Sequence, residues 1–213
     1  MRLRNVSTAV FLFLLMGCSR LGGGAVDANV LFQDQFVGGQ IGPWVLEGDA
    51  LGRSSVVNEQ LLLDLNTANI MQFVTLPEPT FTDFVLEVEA RPLQGDPANS
   101  YGVLFRMQDT ARFYRFELTG GGAYIFERRN GDGTWTRFVD DWTAHPAIKP
   151  GPNVINRIRI EAVGPLLTAY VNDTLVQQVT DATYTAGQIA LDAGTFGDPT
   201  MQVAFDNVVI REP

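Results

Sequence analysis

The side chains of this sequence best suited to chemistry are carboxylates and guanidinium groups set two residues apart. Glu87 and Glu89 fall in DFVLEVEARP, Arg106 stands near the end of YGVLFRMQD, and Arg115 and Glu117 fall in RFYRFEL. In each run apolar residues hold one parity and charged residues the other, the period of strands packed on one face only. Phe84, Leu86, Val88 and Ala90 oppose Val85, Glu87, Glu89 and Arg91. Val103, Phe105 and Met107 oppose Gly102, Leu104, Arg106 and Gln108, while Tyr114, Phe116 and Leu118 oppose Phe113, Arg115 and Glu117. If the three strands are sheet neighbours, Glu87, Glu89, Arg106, Arg115 and Glu117 share one polar surface, which is then the candidate site. Carboxylates two apart on a strand have Cα atoms about 6.5–7 Å apart, inside the range of about 5–9 Å at which paired carboxyls cleave glycosidic bonds. A guanidinium beside them can donate paired hydrogen bonds to sugar hydroxyls or to a carboxylate, although an ion pair with Glu89 or Glu117 would place Arg106 on the same face.

Other chemistries lose their footing. His145 is the only histidine and is followed by Pro146, which disfavours histidine-rich metal sites and a Ser-His-Asp triad. Gly120 to Gly122 joins two strand patterns rather than opening a helix, so no phosphate cradle is present. A formal charge of -9 disfavours nucleic acid, whose phosphates need a basic face. Flat aromatic rings could stack on a sugar, and Tyr101, Phe113, Trp135 and Trp142 fall at strand ends or in loops, whereas Trp44 reads as core.

The beginning of the chain reads as a targeting segment. Arg2 and Arg4 precede the apolar VFLFLLM, and Leu15-Met16-Gly17-Cys18 resembles a bacterial lipobox. The apolar run is too short to span a bilayer. The expected organisation is a lipoprotein signal peptide over 1–17, an acylated Cys18 with a Gly-rich tether over 18–29, and one domain over 30–213. Cys18 is the only cysteine, so the mature domain has no disulfide and relies on core packing. Loss of Arg2 and Arg4 takes the formal charge from -9 to -11, so contact with membrane would be through acyl chains alone. This places the domain on the extracytoplasmic side of the cell membrane or at the outer membrane.

These residues need strands to position them. Short alternating runs recur from Val30-Phe36 to Gln202-Ile210, turn signals fall every eight to twelve residues or so, and no long amphipathic helix interrupts them. Asn130-Gly131-Asp132-Gly133 and Asn172-Asp173 are hairpin signals. The pattern predicts an all-β, two-sheet antiparallel sandwich.

YGVLFRMQD, FYRFEL, NGDGTW, INRIRIEA, AYVNDTLV and AFDNVVI, in that order, resemble the concanavalin A-like lectin/glucanase jelly roll. They are similar in particular to laminin-G-like modules and to the bacterial keto-disaccharide hydrolase family. The resemblance covers about Val30 to Arg211 and implies a jelly roll whose concave sheet holds a saccharide. Asn99-Ser100-Tyr101-Gly102 and Arg106 match, with one residue interposed, an Asn-Ser-Gly segment leading into a strand ending in Arg. Glu87 and Glu89 could fill two places of the laminarinase catalytic strand, but Arg91-Pro92 stands where a last carboxylate is required. Asp34 and Asp206-Asn207 match the positions where similar binding modules hold a structural calcium.

The leading expectation is a carbohydrate-binding jelly roll displayed by acylated Cys18. Glu89, Arg106, Tyr101, Arg115 and Glu117 are its expected contacts, and Trp135 or Trp142 its stacking platform. The alternatives are a glycoside or keto-disaccharide hydrolase working with Glu87, Glu89 or Glu117, and a structural or protein-interaction sandwich.

Overall fold

The computed structural model describes residues 29–48 and 52–213. The expected signal peptide, Cys18 and nearly all of the tether lie outside the described residues. Sixteen strands follow in chain order: β1 (Val30–Asp34), β2 (Val45–Gly48), β3 (Gly52–Val57), β4 (Gln60–Asn66), β5 (Met71–Phe81), β6 (Phe84–Gly95), β7 (Ser100–Asp109), β8 (Arg112–Thr119), β9 (Ala123–Arg129), β10 (Trp135–Arg137), β11 (Thr143–Ala144), β12 (Asn156–Val163), β13 (Leu166–Val171), β14 (Thr174–Thr180), β15 (Gly187–Gly194) and β16 (Thr200–Arg211).

They form two antiparallel sheets. The first runs β14-β13-β12-β6-β16-β4-β3 with β1 also on β16, and the second runs β10-β9-β8-β7-β15-β5-β2 with β11 also on β9. The molecule is an all-β jelly-roll sandwich. No helix long and apolar enough to cross a membrane occurs among the described residues.

The alternation read from the sequence explains the core. Phe84, Leu86, Val88 and Ala90 of β6 are buried against Phe105 of β7 and Tyr114, Phe116 and Leu118 of β8 in one apolar layer between the sheets. Phe105 stacks on Tyr114 with ring centroids 5.4 Å apart, and Phe84 meets Phe105 edge-on at 6.3 Å. Each such side chain contributes about 1.5–3 kcal/mol by leaving water. Turn chemistry sets the hairpins: Asn172 and Asp173 take φ of 50° and 65° between β13 and β14, as the tight turn requires. Asn130 accepts a 2.9 Å hydrogen bond from Gly133 N between β9 and β10.

One strand departs from simple alternation. Arg106 has φ 47°, and the β7–β8 register shifts between Phe105 and Asp109. This bulge adds a residue to β7, so the parity reverses beyond it. Met107 therefore joins Leu104 on the outer face of the second sheet, in a small cluster with Phe73, Phe113 and Ala190. Arg106 turns inward instead. Gly187 of β15 lies so close to the bulge that a Cβ there would sit 2.5 Å from the Arg106 carbonyl carbon.

Candidate functional site

The structure separates the residues that alternation alone had grouped. Strand β6 lies in the first sheet between β12 and β16, whereas β7 and β8 are neighbours in the second. The loop after Gly95 carries the chain from one sheet to the other, and a two-residue period reports a strand's faces but not its sheet. Glu87 and Glu89 thus point outward from the opposite side of the sandwich to Arg115 and Glu117. Glu87 accepts hydrogen bonds of 2.9 and 3.0 Å from Arg211, which hold its carboxyl below the usual range against the opposing effect of burial. Glu89 accepts from Asn207 Nδ2 at 3.1 Å and pairs with Arg157 at 3.5 Å. These are ion pairs of a solvated sheet face, and the expectation that Glu87 and Glu89 share one surface with Arg106, Arg115 and Glu117 is corrected accordingly.

Two expected saccharide contacts are also internal. Tyr101 is fully buried, its hydroxyl accepts from Asn156 Nδ2 at 3.1 Å, and burial pushes that hydroxyl up to about 12. Arg106 is fully buried, the bulge having swung it off the outer face. Its Nε and Nη2 donate to Thr82 O at 3.0 and 2.8 Å, and Nη1 donates to Gly164 O at 2.8 Å and Tyr184 O at 3.3 Å. Burial lowers its pKa, and Asp83, 3.3 Å from Nη2, partly offsets that. Arg106 therefore ties three loop carbonyls together and is not a surface contact.

Arg115 and Glu117 do lie on the outer face of the second sheet, where they meet residues that sequence reasoning missed. Gly102 of β7 pairs with Glu117 on one side and Asp192 of β15 on the other. With no side chain at Gly102, none separates Glu117 from Asp192 across that strand. Both are fully buried. Glu117 Oε1 accepts from Ser100 Oγ at 2.9 Å, Glu117 Oε2 lies 3.2 Å from Arg115 Nη1, and Arg115 Nη2 pairs with Glu127 of β9. Neither Asp192 oxygen has a donor among the described residues. Burial pushes the Asp192 carboxyl well above its usual range, and the Glu117 carboxylate adds to it. Burial likewise raises Glu127, more than Arg115 pulls it down. For Arg115, burial works to lower the pKa, but Glu117, Glu127 and Asp192 outweigh it.

Trp135 roofs this cluster. Its ring lies 4.3 Å from the Arg115 guanidinium and 4.9 Å from that of Arg129, so it is a lid on cations rather than an open sugar platform. The signal for the missed residues was present: Asp192 is a lone acid in the apolar run GQIALDAG, and Glu127 ends YIFE.

Trp142 occupies a different position. With Phe196, whose ring is 6.1 Å away at 77°, it walls a groove of about 610 Å³ whose lining includes Asp96, Ala98, Thr119 and Ala123. The groove adjoins the charged cluster, because Thr119 pairs across the sheet with Ser100, the donor to Glu117. Asn99 fixes its wall by accepting from Phe196 N at 2.9 Å and donating to Thr200 O at 2.9 Å. Strand β11 fixes the other side through Thr143 on Tyr124.

The remaining candidates have local duties. Asp34 accepts from Phe36 N at 2.7 Å and Trp44 Nε1 at 3.0 Å. Asp206 caps Asn207 N at 2.7 Å and accepts from Gln60 at 3.5 Å. Among the described residues no group of three or more His, Cys, Asp or Glu is arranged to hold a metal ion. His145 Nδ1 accepts from Ala147 N at 3.2 Å.

Comparison with solved structures shows the same fold at low identity. A carbohydrate-binding module of the CBM66 type from Bacillus subtilis superposes with a TM-score of 0.63 at 17% identity, covering 80% of this chain and 96% of that one. A protein of unknown function with a galectin-like fold from Bacillus subtilis gives 0.66 at 13%, covering 86% and 96%. An endo-beta-1,3-glucanase from Pyrococcus furiosus gives 0.63 at 11%, covering 88% and 96%. No curated protein matches the chain in sequence. Residues 28–211 match the family described as 3-keto-alpha-glucoside-1,2-lyase-like domains. The chain therefore shares the jelly-roll fold of these structures, and it belongs to the 3-keto-alpha-glucoside-1,2-lyase-like family.

Proposed function

We propose that the protein binds a saccharide at the outer face of the second sheet, in the groove walled by Trp142 and Phe196. The observation that carries this is the pairing of an apolar aromatic wall with a polar floor at Thr119, beside the Ser100–Glu117 hydrogen bond. Pyranose C–H groups would lie on the indole while hydroxyls face the sheet. Calorimetry against a glycan panel tests it. Trp142→Ala should weaken binding about three- to tenfold or more, the worth of one aromatic contact, with an unchanged melting temperature. Unaltered affinity in that variant would remove the groove from the reading. We further propose that acylated Cys18 anchors the domain outside the cytoplasm. A full chain that stays in the aqueous phase on detergent partition, as a Cys18→Ser chain should, would rule the anchor out.

A second reading, elimination at a 3-keto-glucoside, is favoured by the two buried carboxyls, Asp192 and Glu117, that flank Gly102, burial pushing the Asp192 carboxyl up. The C3 ketone acidifies the C2 proton. One carboxylate of the pair would take that proton as the C1–O bond breaks and the C1=C2 bond forms, and the other carboxyl would return a proton to the leaving oxygen. The pair ends with the one proton it began with. Arg115 would donate to the C3 oxygen, which requires it to leave its place over the pair. Release of an unsaturated keto sugar, absent from Asp192→Asn, supports this reading; substrate bound and recovered intact refutes it.

A further inference from the structure

Four buried polar atoms on the outer face of the second sheet have no hydrogen-bond partner among the described residues, and they belong to neighbouring side chains. They are both oxygens of Asp192, Glu117 Oε2 and Arg115 Nε. Asp192 and Glu117 are fully buried, and Glu117 Oε2 meets Arg115 Nη1 at 3.2 Å only as an ion pair. Protein interiors rarely leave such groups unmatched, because each keeps the cost of its lost hydration. The strands beneath them carry little bulk: Gly194 of β15 pairs with Ser100 of β7, and Gly102 of β7 pairs with Glu117 and Asp192. A Cβ at Gly194 would lie 2.7 Å from Ser100 Oγ and 3.8 Å from Glu117 Oε1, so a glycine keeps this trough between the two carboxyls free of side chain.

One side of the trough is strapped and the other adjoins the groove. Arg115 starts on β8 and reaches over β7 and β15 to β5, where its Nη1 donates to Met71 Sδ at 3.6 Å. Glu127 holds the same guanidinium from β9, and the Trp135 ring lies over it. On the other side Ser100 pairs with Thr119, which lines the groove walled by Trp142 and Phe196. A saccharide lying in that groove therefore meets the trough end-on. Arg115, whose side chain is 14% exposed, is the group that must swing aside to admit it.

We infer that the trough is a second subsite, resting on the binding reading above, which takes the non-reducing terminal unit of a neutral saccharide by two adjacent free hydroxyls seated on the two oxygens of Asp192. Three of the four unmatched atoms are carboxyl oxygens, so the occupant must bring donors. A hydroxyl both donates and accepts, so it serves either protonation state of Asp192 and can also accept from Arg115 Nε. A uronate or a sulfate would bring further acceptors to an acceptor-rich floor. A metal ion fits less well, because the Arg115 guanidinium already lies on Glu117 Oε2 and no group of three ligating side chains stands here among the described residues. With its hydroxyls on Asp192, the terminal unit turns its glycosidic oxygen toward the groove, and the next unit meets the Trp142 indole.

The test is calorimetry on the purified full chain with cellobiose, mannobiose and galactobiose, each beside a counterpart methylated at the two adjacent ring hydroxyls next to the anomeric carbon of its non-reducing unit. At least one parent sugar should bind, and methylation should weaken the tightest of them about tenfold or more, the worth of one hydrogen bond to a charged group. In Asp192→Asn that methylation penalty should shrink to about threefold or less, because the partner of the hydroxyls is gone. Gly194→Ala sets a methyl group in the trough and changes no charge; it should weaken the parent sugar as well, and it serves where Asp192→Asn does not fold. Saturating sugar should also shift the tryptophan emission of a Trp142→Phe chain, since Trp44 is buried and Trp135 lies on the guanidinium that moves. Equal affinity for parent and methylated sugars, a penalty that persists in Asp192→Asn, or an emission unmoved by bound sugar overturns this inference, while a loss of affinity in Trp142→Ala leaves the groove reading standing. Failure of every parent sugar to bind, or binding indifferent to Trp142→Ala, overturns the groove reading and this inference with it.

Discussion

Replacing Arg106 by Met keeps the volume of the aliphatic stem and removes every donor. The structure then leaves the carbonyls of Thr82, Gly164 and Tyr184 without the guanidinium that reaches each of them within 3.3 Å. Hydrogen bonds from a charged group contribute about 1.5–3 kcal/mol each. The three acceptors sit on loops at the sandwich edge, where water can reach some of them, so the lower part of that range applies and the expected loss is about 3–5 kcal/mol. That is a large share of a total stability of about 5–15 kcal/mol. Urea unfolding followed by fluorescence should show the midpoint falling sharply, with the slope preserved if the two-state transition survives. Lys should rescue little, since one ammonium cannot serve three carbonyls in fixed directions. A midpoint unchanged to within about 0.5 kcal/mol, a typical surface substitution, would refute the assignment of Arg106 as an internal clamp. Saccharide binding lost from a fully stable variant would do so as well, and would return Arg106 to the ligand face.

Three further outcomes follow from the same geometry. Gly102→Ala places a Cβ 2.2 Å from Phe116 O, so overpacking should cost about 1–3 kcal/mol at the least; thermal melts that match the parent would show that β7 and β8 can spread without penalty. Because the Asp192 pKa is raised in the folded state, its contribution to stability is complete below the ordinary aspartate value and is lost as pH rises toward the raised one. The melting temperature of Asp192→Asn relative to the parent should therefore climb between acid and mildly alkaline pH, and a difference that is flat or falls with pH is the contrary result. Glu87→Gln and Glu89→Gln, both on the outer face of the first sheet, should each cost less than about 1 kcal/mol and leave saccharide affinity unchanged; a loss of affinity in either would contradict the separation of β6 from β7 and β8.

The comparison of sequence and fold is most instructive where one residue changes the outcome. Alternation assigned the faces of β6 and β8 correctly, residue by residue, because a half-buried strand must put apolar groups inward at every second position. It assigned β7 correctly as far as Phe105 and failed at Arg106, where the positive φ inserts a bulge that no local pattern announces. Trp135 and Trp142 had equal standing as platforms; tertiary neighbours distinguish them, since Arg115 and Arg129 lie against one and Phe196 against the other.

The sequence by itself determined the all-β sandwich, the hairpins at Asn130–Gly133 and Asn172–Asp173, and the outward direction of Arg115 and Glu117. All of these depend on periods and turn propensities within a few residues. Only the tertiary structure decided which sheet each strand joins and which charged groups meet. Asp192 reaches Glu117 because β15, seventy-five residues further along the chain, hydrogen-bonds to β7 with Gly102 between them. Sheet membership is set by loop crossings and long-range pairing, and burial beside another carboxyl then pushes the Asp192 carboxyl above its usual range.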